Sequence, residues 1–145
     1  MSNSLVSKLK VVLADSYTLY LKTQNFHWNV TGPSFQSLHN LFEEQYNDLF
    51  EANDEIAERI RTLGEAAPGS FEQFLGLKTI DEAPATPPAA NAMVQELAQD
   101  QDRIVATLTA ALKEAQANDD EATIGLLVDR ITTHEKNGWM LKSSI

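Results

Sequence analysis

Five side chains in the first half of the sequence could gather around a metal ion: His27, His39, Glu43, Asp54 and Glu58. Imidazole nitrogens mixed with carboxylate oxygens suit Fe(II), Mn(II) or Zn(II). The chain has no cysteine, so thiolate ligands, iron–sulfur clusters and disulfides are excluded. The spacing of the five matters as much as their types. His39 and Glu43 are four residues apart, and so are Asp54 and Glu58, which places each pair on one helix face. Glu43 and Asp54 are eleven apart, close to three whole turns, so both pairs share a side. His27 lies six residues before Pro33 and His39 six after, level with one another if the chain folds back there as an antiparallel hairpin.

Distance limits what one chain can do with these residues. Eleven helical residues span about 16 Å, whereas a ligand atom sits roughly 2 Å from its metal. His39/Glu43 and Asp54/Glu58 of one chain therefore cannot hold the same ion. Either each pair acts alone, or the pairs meet across chains. Two copies of the second helix crossing antiparallel about a two-fold axis would bring Asp54 and Glu58 of one chain onto His27, His39 and Glu43 of the other, building two equivalent sites. Two or three carboxylates there would offset most of the charge of one or two ions and favour the ferric state, which is ferroxidase chemistry. The bland reading of the same residues is a pair of ordinary histidines beside a solvated acidic face. The coincidence of spacings, and the inability of one chain to use all five, strengthen the metal reading and leave the bland one standing beside it.

Other residues near these invite a functional reading and a structural one. Trp28, beside His27, could take an electron from the site and quench radicals, or simply pack at an interface. Tyr46, Trp139 and Met140 read as core or interface, and His134 and Glu135 as surface or interface polar contacts. Asp119, Asp120 and Glu121 open a helix, where acids complement the dipole. They could also line a symmetry-axis pore that admits cations.

Four long helical segments would carry these residues. The first covers residues 4–30, with Leu5, Leu9, Val12, Leu13, Tyr17, Tyr20 and Leu21 at the three- and four-residue steps of one helix face. Thr31-Gly32-Pro33 stops it. The second covers 34–63, with Ser34 as N-cap, Leu38, Leu41, Phe42, Leu49, Ile56 and Ile60 as its stripe, and Gly64 just past its end. A long connection follows over 65–86, in which Phe71, Phe74 and Leu75 predict one short helix. Thr86 as N-cap and Pro87 at the first position open the third helix. Its stripe is Met93, Val94, Leu97, Ile104, Val105, Leu108, Ala111 and Leu112. Asn118-Asp119-Asp120 breaks it and caps the fourth, over 120–142. Two helix pairs joined by one long crossover make an all-α, ferritin-like four-helix bundle with a short extra helix between helices two and three. Residues 1–145 read as a single domain.

Composition narrows the function classes. No apolar run approaches the roughly 20 residues of a membrane span. Residues 1–10 lack the order of a signal peptide, so a cytoplasmic address is the default. The net charge is −10 and the pI about 4.6. Such a surface attracts cations and repels nucleic acid and anionic lipid.

The motif Phe26-His27-Trp28-Asn29-Val30-Thr31-Gly32-Pro33, then Phe35 and Leu38-His39, then Asp54-Glu55-Ile56-Ala57-Glu58-Arg59-Ile60 with Gly64, closely resembles the Dps family, the bacterial mini-ferritins named as DNA-binding proteins from starved cells. The resemblance extends through His134-Glu135-Lys136 to Trp139-Met140-Leu141. It implies a hollow homo-dodecamer of four-helix bundles, with ferroxidase sites between two-fold-related subunits. His27 and His39 would come from one subunit, Asp54 and Glu58 from its partner, with Glu43 and Trp28 adjoining. The implied activity is oxidation of Fe(II) to Fe(III), by hydrogen peroxide in preference to dioxygen, with storage of ferric mineral and protection against oxidative damage. Asp119, Asp120 and Glu121 fall where the family lines three-fold pores. Ile124 and Gly125, one turn on, are not acidic and would leave the funnel short. Position 43 is more often Asp in the family and is Glu here, which bears on its second, weaker metal position. The Lys/Arg-rich tail of the DNA-binding members has no counterpart. Twelve copies at −10 each would carry a formal −120, so direct DNA binding is not expected; a nucleoid-associated, DNA-shielding protein is the alternative function.

Overall fold

The computed structural model describes residues 3–145, and every regular element among them is a helix. α1 (Asn3–Asn29), α2 (Phe35–Thr62), α4 (Ala90–Ala117) and α5 (Glu121–Lys142) are long, and α3 (Phe71–Leu77) is short. Side-chain contacts fix their directions. α1 meets α2 at Ser16–Asn53 and at His27–His39. It meets α4 at Asp15–Thr107 and Lys22–Asp100. α2 meets α5 at Asp48–Arg130 and Arg59–Thr123. In each pair residue numbers rise on one helix as they fall on the other, so neighbours are antiparallel. α4 therefore starts at the end of the bundle where α2 started. The connection carrying α3 has to travel the bundle's length, roughly 40 Å.

Gly64 takes the left-handed φ of +98° just past the C-cap Leu63, where an L side chain would strain. Asp119 turns the chain at φ 53° between α4 and α5, a conformation acids tolerate better than most residues. Asp120 then caps α5, its carboxylate accepting from the Thr123 amide at 3.2 Å.

Three sequence expectations about helix ends and faces need correction. α4 begins at Ala90, not at Thr86-Pro87. Pro88 is the reason: a residue before proline is pushed out of the α region, so Pro87 cannot open a helix, and Ala89 is still extended with ψ 157°. Ser34 occupies the N-cap of α2, but its hydroxyl makes no capping bond. In α1, Tyr17 and Tyr20 are half-buried and Leu21 is exposed. The inward face runs instead through Ser16, Leu19, Thr23 and Phe26, because the middle of that face is partly polar. The stripes of α2 and α4 bury as read, with Leu41, Val105 and Leu112 only half-covered.

The interior is not wholly apolar. Asp15, fully buried, accepts from the Thr79 amide at 2.6 Å, the Ile80 amide at 3.0 Å and the hydroxyls of Thr79 and Thr107 at 2.6 and 2.9 Å. It thereby nails the crossover to α1 and α4. Lys22 does the same about two turns further along α1, its ammonium donating to the Asp81 carbonyl at 3.1 Å and pairing with Asp100 at 2.8 Å. Burial pushes the Asp100 carboxyl up by more than Lys22 draws it down.

His134, expected near the surface or at an interface, is buried at 1% exposure. Its Nδ1 donates to Gln101 Oε1 at 2.7 Å, and Arg130, itself paired with Asp48, donates to its Nε2 at 3.0 Å. Burial first, and then the Arg130 guanidinium, push the imidazole down to about 3, with Asp48 pulling weakly the other way. The neutral ring is the form this network needs. Because the folded value lies below the unfolded one near 6.5, the network's full stability is present above pH 6.5 and is lost as pH falls toward 3. The loss is on the order of 4 kcal/mol. Thermal melts of wild type and His134→Gln are expected to diverge in pH dependence: the wild-type midpoint falls more steeply between pH 6.5 and 4. Parallel slopes would show that His134 is not the responsible group.

Candidate metal centre

The link over residues 30–34 brings the last turn of α1 against the first turns of α2 and places His27 and His39 face to face. Their rings stack with centroids 3.7 Å apart and planes 14° from parallel. Each ring holds the other's backbone. His27 Nδ1 donates to the His39 carbonyl at 2.7 Å, and His39 Nδ1 donates to the His27 carbonyl at 2.6 Å. A carbonyl only accepts, so both protons reside on Nδ1 in the neutral rings, and both Nε2 atoms present a lone pair. That is how metal-binding imidazoles are ordinarily fixed, by a backbone acceptor on the far nitrogen.

Glu43, one turn along α2 from His39, brings its Oε1 to 3.8 Å from His27 Nε2. One ligand-capable atom from each of His27, His39 and Glu43 lies within 4.8 Å of the others. His27 is buried, His39 half-buried and Glu43 exposed, so the group faces outward on one side. Phe35 stacks on the outer face of the pair, 4.9 Å from His39, and Tyr46 meets His27 edge-on at 5.2 Å. Sequence reasoning passed over Phe35 as an element of the site and took Tyr46 as packing. Their positions four residues before and seven after His39 were the available signal.

Asp54 and Glu58 stay apart from this group. Both are exposed on α2, eleven or more residues beyond Glu43, and no described residue completes a metal-binding trio with them. Asp54 borders an open groove of about 860 Å³ with Phe50, Phe71 and Phe74. Trp28, adjacent to His27, is 61% exposed. Of the acidic trio at the start of α5, Asp119 and Glu121 are exposed, whereas Asp120 is engaged: it caps the helix and pairs with Arg59 at 3.1 Å. Burial alone would raise the Asp120 carboxyl, but the Thr123 hydroxyl and amide and the Arg59 guanidinium outweigh it and hold the carboxyl below the usual range.

The donor set fits a borderline divalent cation: two neutral imidazole nitrogens and one carboxylate, open to further oxygen ligands. One chain brings three such ligands together.

Residues 6–145 match the ferritin-like domain family. The DNA protection during starvation protein 2 of Bacillus anthracis is 36% identical over 143 residues, 99% of this chain and 97% of the relative. Among solved structures, Dps from Staphylococcus aureus superposes with a TM-score of 0.92 at 36% identity, covering 97% of this chain and 93% of that one. A Dps protein from Vibrio cholerae, described as a member of a broad superfamily of ferritin-like diiron-carboxylate proteins, superposes with a TM-score of 0.91 at 34% identity, covering 96% and 87%. Sequence and fold agree over nearly the whole length, and the chain belongs to the Dps family of ferritin-like proteins.

Proposed function

We propose that this protein oxidises Fe(II), with hydrogen peroxide as the preferred oxidant over dioxygen, and stores the ferric product in a cytoplasmic cage of twelve single-domain subunits. The reciprocal lock of His27 and His39 carries the reading: it holds two Nε2 lone pairs beside the Glu43 carboxylate, ready for a cation. In the proposed assembly, Asp54 and Glu58 of a two-fold-related subunit face this trio across the interface. Iron is the substrate. The Nδ1–H bonds make each imidazole a better donor, and the carboxylates offset charge that rises from Fe(II) to Fe(III). Two ferrous ions held together can give one electron each to a single peroxide. Its O–O bond then breaks, and two protons complete two waters, with no hydroxyl radical set free. Trp28 is a reserve electron donor at the rim, and the exposed Asp119 and Glu121 are an entry for cations. Exposed Phe50, Phe71 and Leu75 support burial against further copies, since so much apolar surface is unusual on a free chain.

The test is anaerobic loading with Fe(II) followed by hydrogen peroxide, with ferric absorbance followed against a protein-free control. Accelerated oxidation, with iron retained at the size of a twelve-subunit particle on gel filtration, is the expected result. A rate equal to the control would reduce the cage to a passive container.

The name of the Bacillus anthracis relative favours a second reading, physical protection of DNA. At a net charge of −10 the chain offers little to phosphate, whose binding depends on neutralising cations. No retardation of linear duplex is expected in a gel shift at low salt; a salt-sensitive shift would restore the DNA-shielding role.

A further inference from the structure

All three tyrosines of the chain stand in one run of ring contacts that begins at the metal-binding imidazoles. Tyr46 meets His27 edge-on at 5.2 Å. Tyr20 lies 6.0 Å from Tyr46, and Tyr17 lies 5.5 Å from Tyr20. Phe74 of α3 closes the run, stacked on Tyr17 at 5.0 Å. Such separations are ordinary for packed aromatics. Packing alone, however, does not call for tyrosine at every step; phenylalanine would fill the same space without a readily oxidised phenol. The three rings are half-buried, form no hydrogen bond with another described residue, and keep their hydroxyls in contact with solvent. Water can therefore take a phenol's proton when the ring loses an electron. Both tryptophans are largely exposed and make no ring contact with this run.

We propose that Tyr46, Tyr20 and Tyr17 form a radical relay that draws one-electron oxidising equivalents away from His27 and His39, along α1 toward α3. The proposal rests on the ferroxidase reading, and it addresses the case in which only one Fe(II) is bound. A single Fe(II) gives hydrogen peroxide one electron; the O–O bond breaks to hydroxide and a hydroxyl radical. Tyr46 yields a hydrogen atom to that radical, forming water and a tyrosyl radical. Tyr20 and then Tyr17 reduce the radical in turn, each passing on one electron and one proton. A second Fe(II), with one proton, restores the last phenol and becomes Fe(III). The sum is two Fe(II), one peroxide and two protons giving two Fe(III) and two waters, the same as the paired reaction. Without the relay the hydroxyl radical would attack the two imidazoles beside which it forms.

The experiment is freeze-quench electron paramagnetic resonance of the assembled protein, loaded with less than one Fe(II) per site and mixed with hydrogen peroxide, with ferric absorbance recorded in parallel. Wild type should give a tyrosyl signal that narrows when ring-deuterated tyrosine is incorporated. Tyr46→Phe, which keeps the ring and its packing, should lose that signal, and peptide mapping should then find oxidation on His27 and His39. Tyr20→Phe should hold the radical longer at Tyr46 and delay the second half of ferric formation. An undiminished signal in Tyr46→Phe, or fast ferric formation in wild type with no tyrosyl radical, overturns the relay alone. No acceleration of ferric formation in wild type overturns the ferroxidase reading and the relay with it.

Discussion

Replacing both imidazoles, His27→Ala with His39→Ala, is expected to slow peroxide-driven Fe(II) oxidation by at least about a hundredfold, to the protein-free rate. The pair supplies both Nε2 donors, and Glu43 alone is an exposed carboxylate with nothing to hold a cation against water. The double variant also removes two side chain–backbone bonds and a ring stack at the hairpin, so circular dichroism and gel filtration must show the particle intact. A cleaner arm uses Asp54→Ala with Glu58→Ala, since both side chains are exposed and their loss costs the isolated chain little. It should be equally slow if these carboxylates complete the site from the neighbouring subunit. Mixing the two inactive proteins under conditions of reassembly then decides between one chain and two. In a mixed pair, one of the two sites recovers wild-type histidines from one subunit and wild-type acids from the other. Roughly a quarter of all sites should return at equal mixing. No recovery from well-mixed particles would exclude a shared site.

The second large effect is on stability. Asp15→Ala is expected to cost roughly 4 kcal/mol, because two amides and two hydroxyls lose a charged acceptor inside the protein. At this chain length the melting temperature of the subunit should fall by on the order of 10 °C. Asp15→Asn should fall between: its remaining oxygen can keep the two amides, and the Thr107 hydroxyl has the Arg103 carbonyl at 3.2 Å to turn to. Limited proteolysis should cut the alanine variant within the crossover, where Thr79 and Ile80 are released first. A melting temperature unchanged in Asp15→Ala would mean that the apolar contacts of Ile80, buried at 1% exposure, suffice to seat the crossover.

The helices were legible because their periods are long and their punctuation is strong: the stripes of α2 and α4, the glycine at 64 and the acids before α5 all mark what the fold uses. The placing of His27 level with His39 was legible too, from equal spacing about Pro33. The tautomer lock was not, because its acceptors are backbone carbonyls, which every residue has. His134 was misjudged because α5 buries polar side chains. Thr123, Leu127, Arg130, His134, Asn137 and Leu141 follow the four-three spacing of an inward face, but only two of the six are aliphatic. Reading spacing before residue type would have placed His134 inside. Pro87 misled because the rule for a first-turn proline gives way when another proline follows it. What Asp54 and Glu58 meet was not legible, because pairing across copies depends on assembly rather than on spacing within one chain.

The reciprocal imidazole–carbonyl pair joins residues only twelve apart, whereas the Asp15 anchorage reaches across 64 and 92 residues. The two therefore belong to different moments in the life of the chain. Everything one subunit contributes around His27 lies within its first two long helices, so this hairpin is complete once Thr62 has left the ribosome and can form through local contacts alone. Ordering of the crossover waits for α4. A nascent chain would thus display its cation-binding half before it has a finished core, and a cation bound there would stabilise the hairpin before subunits meet.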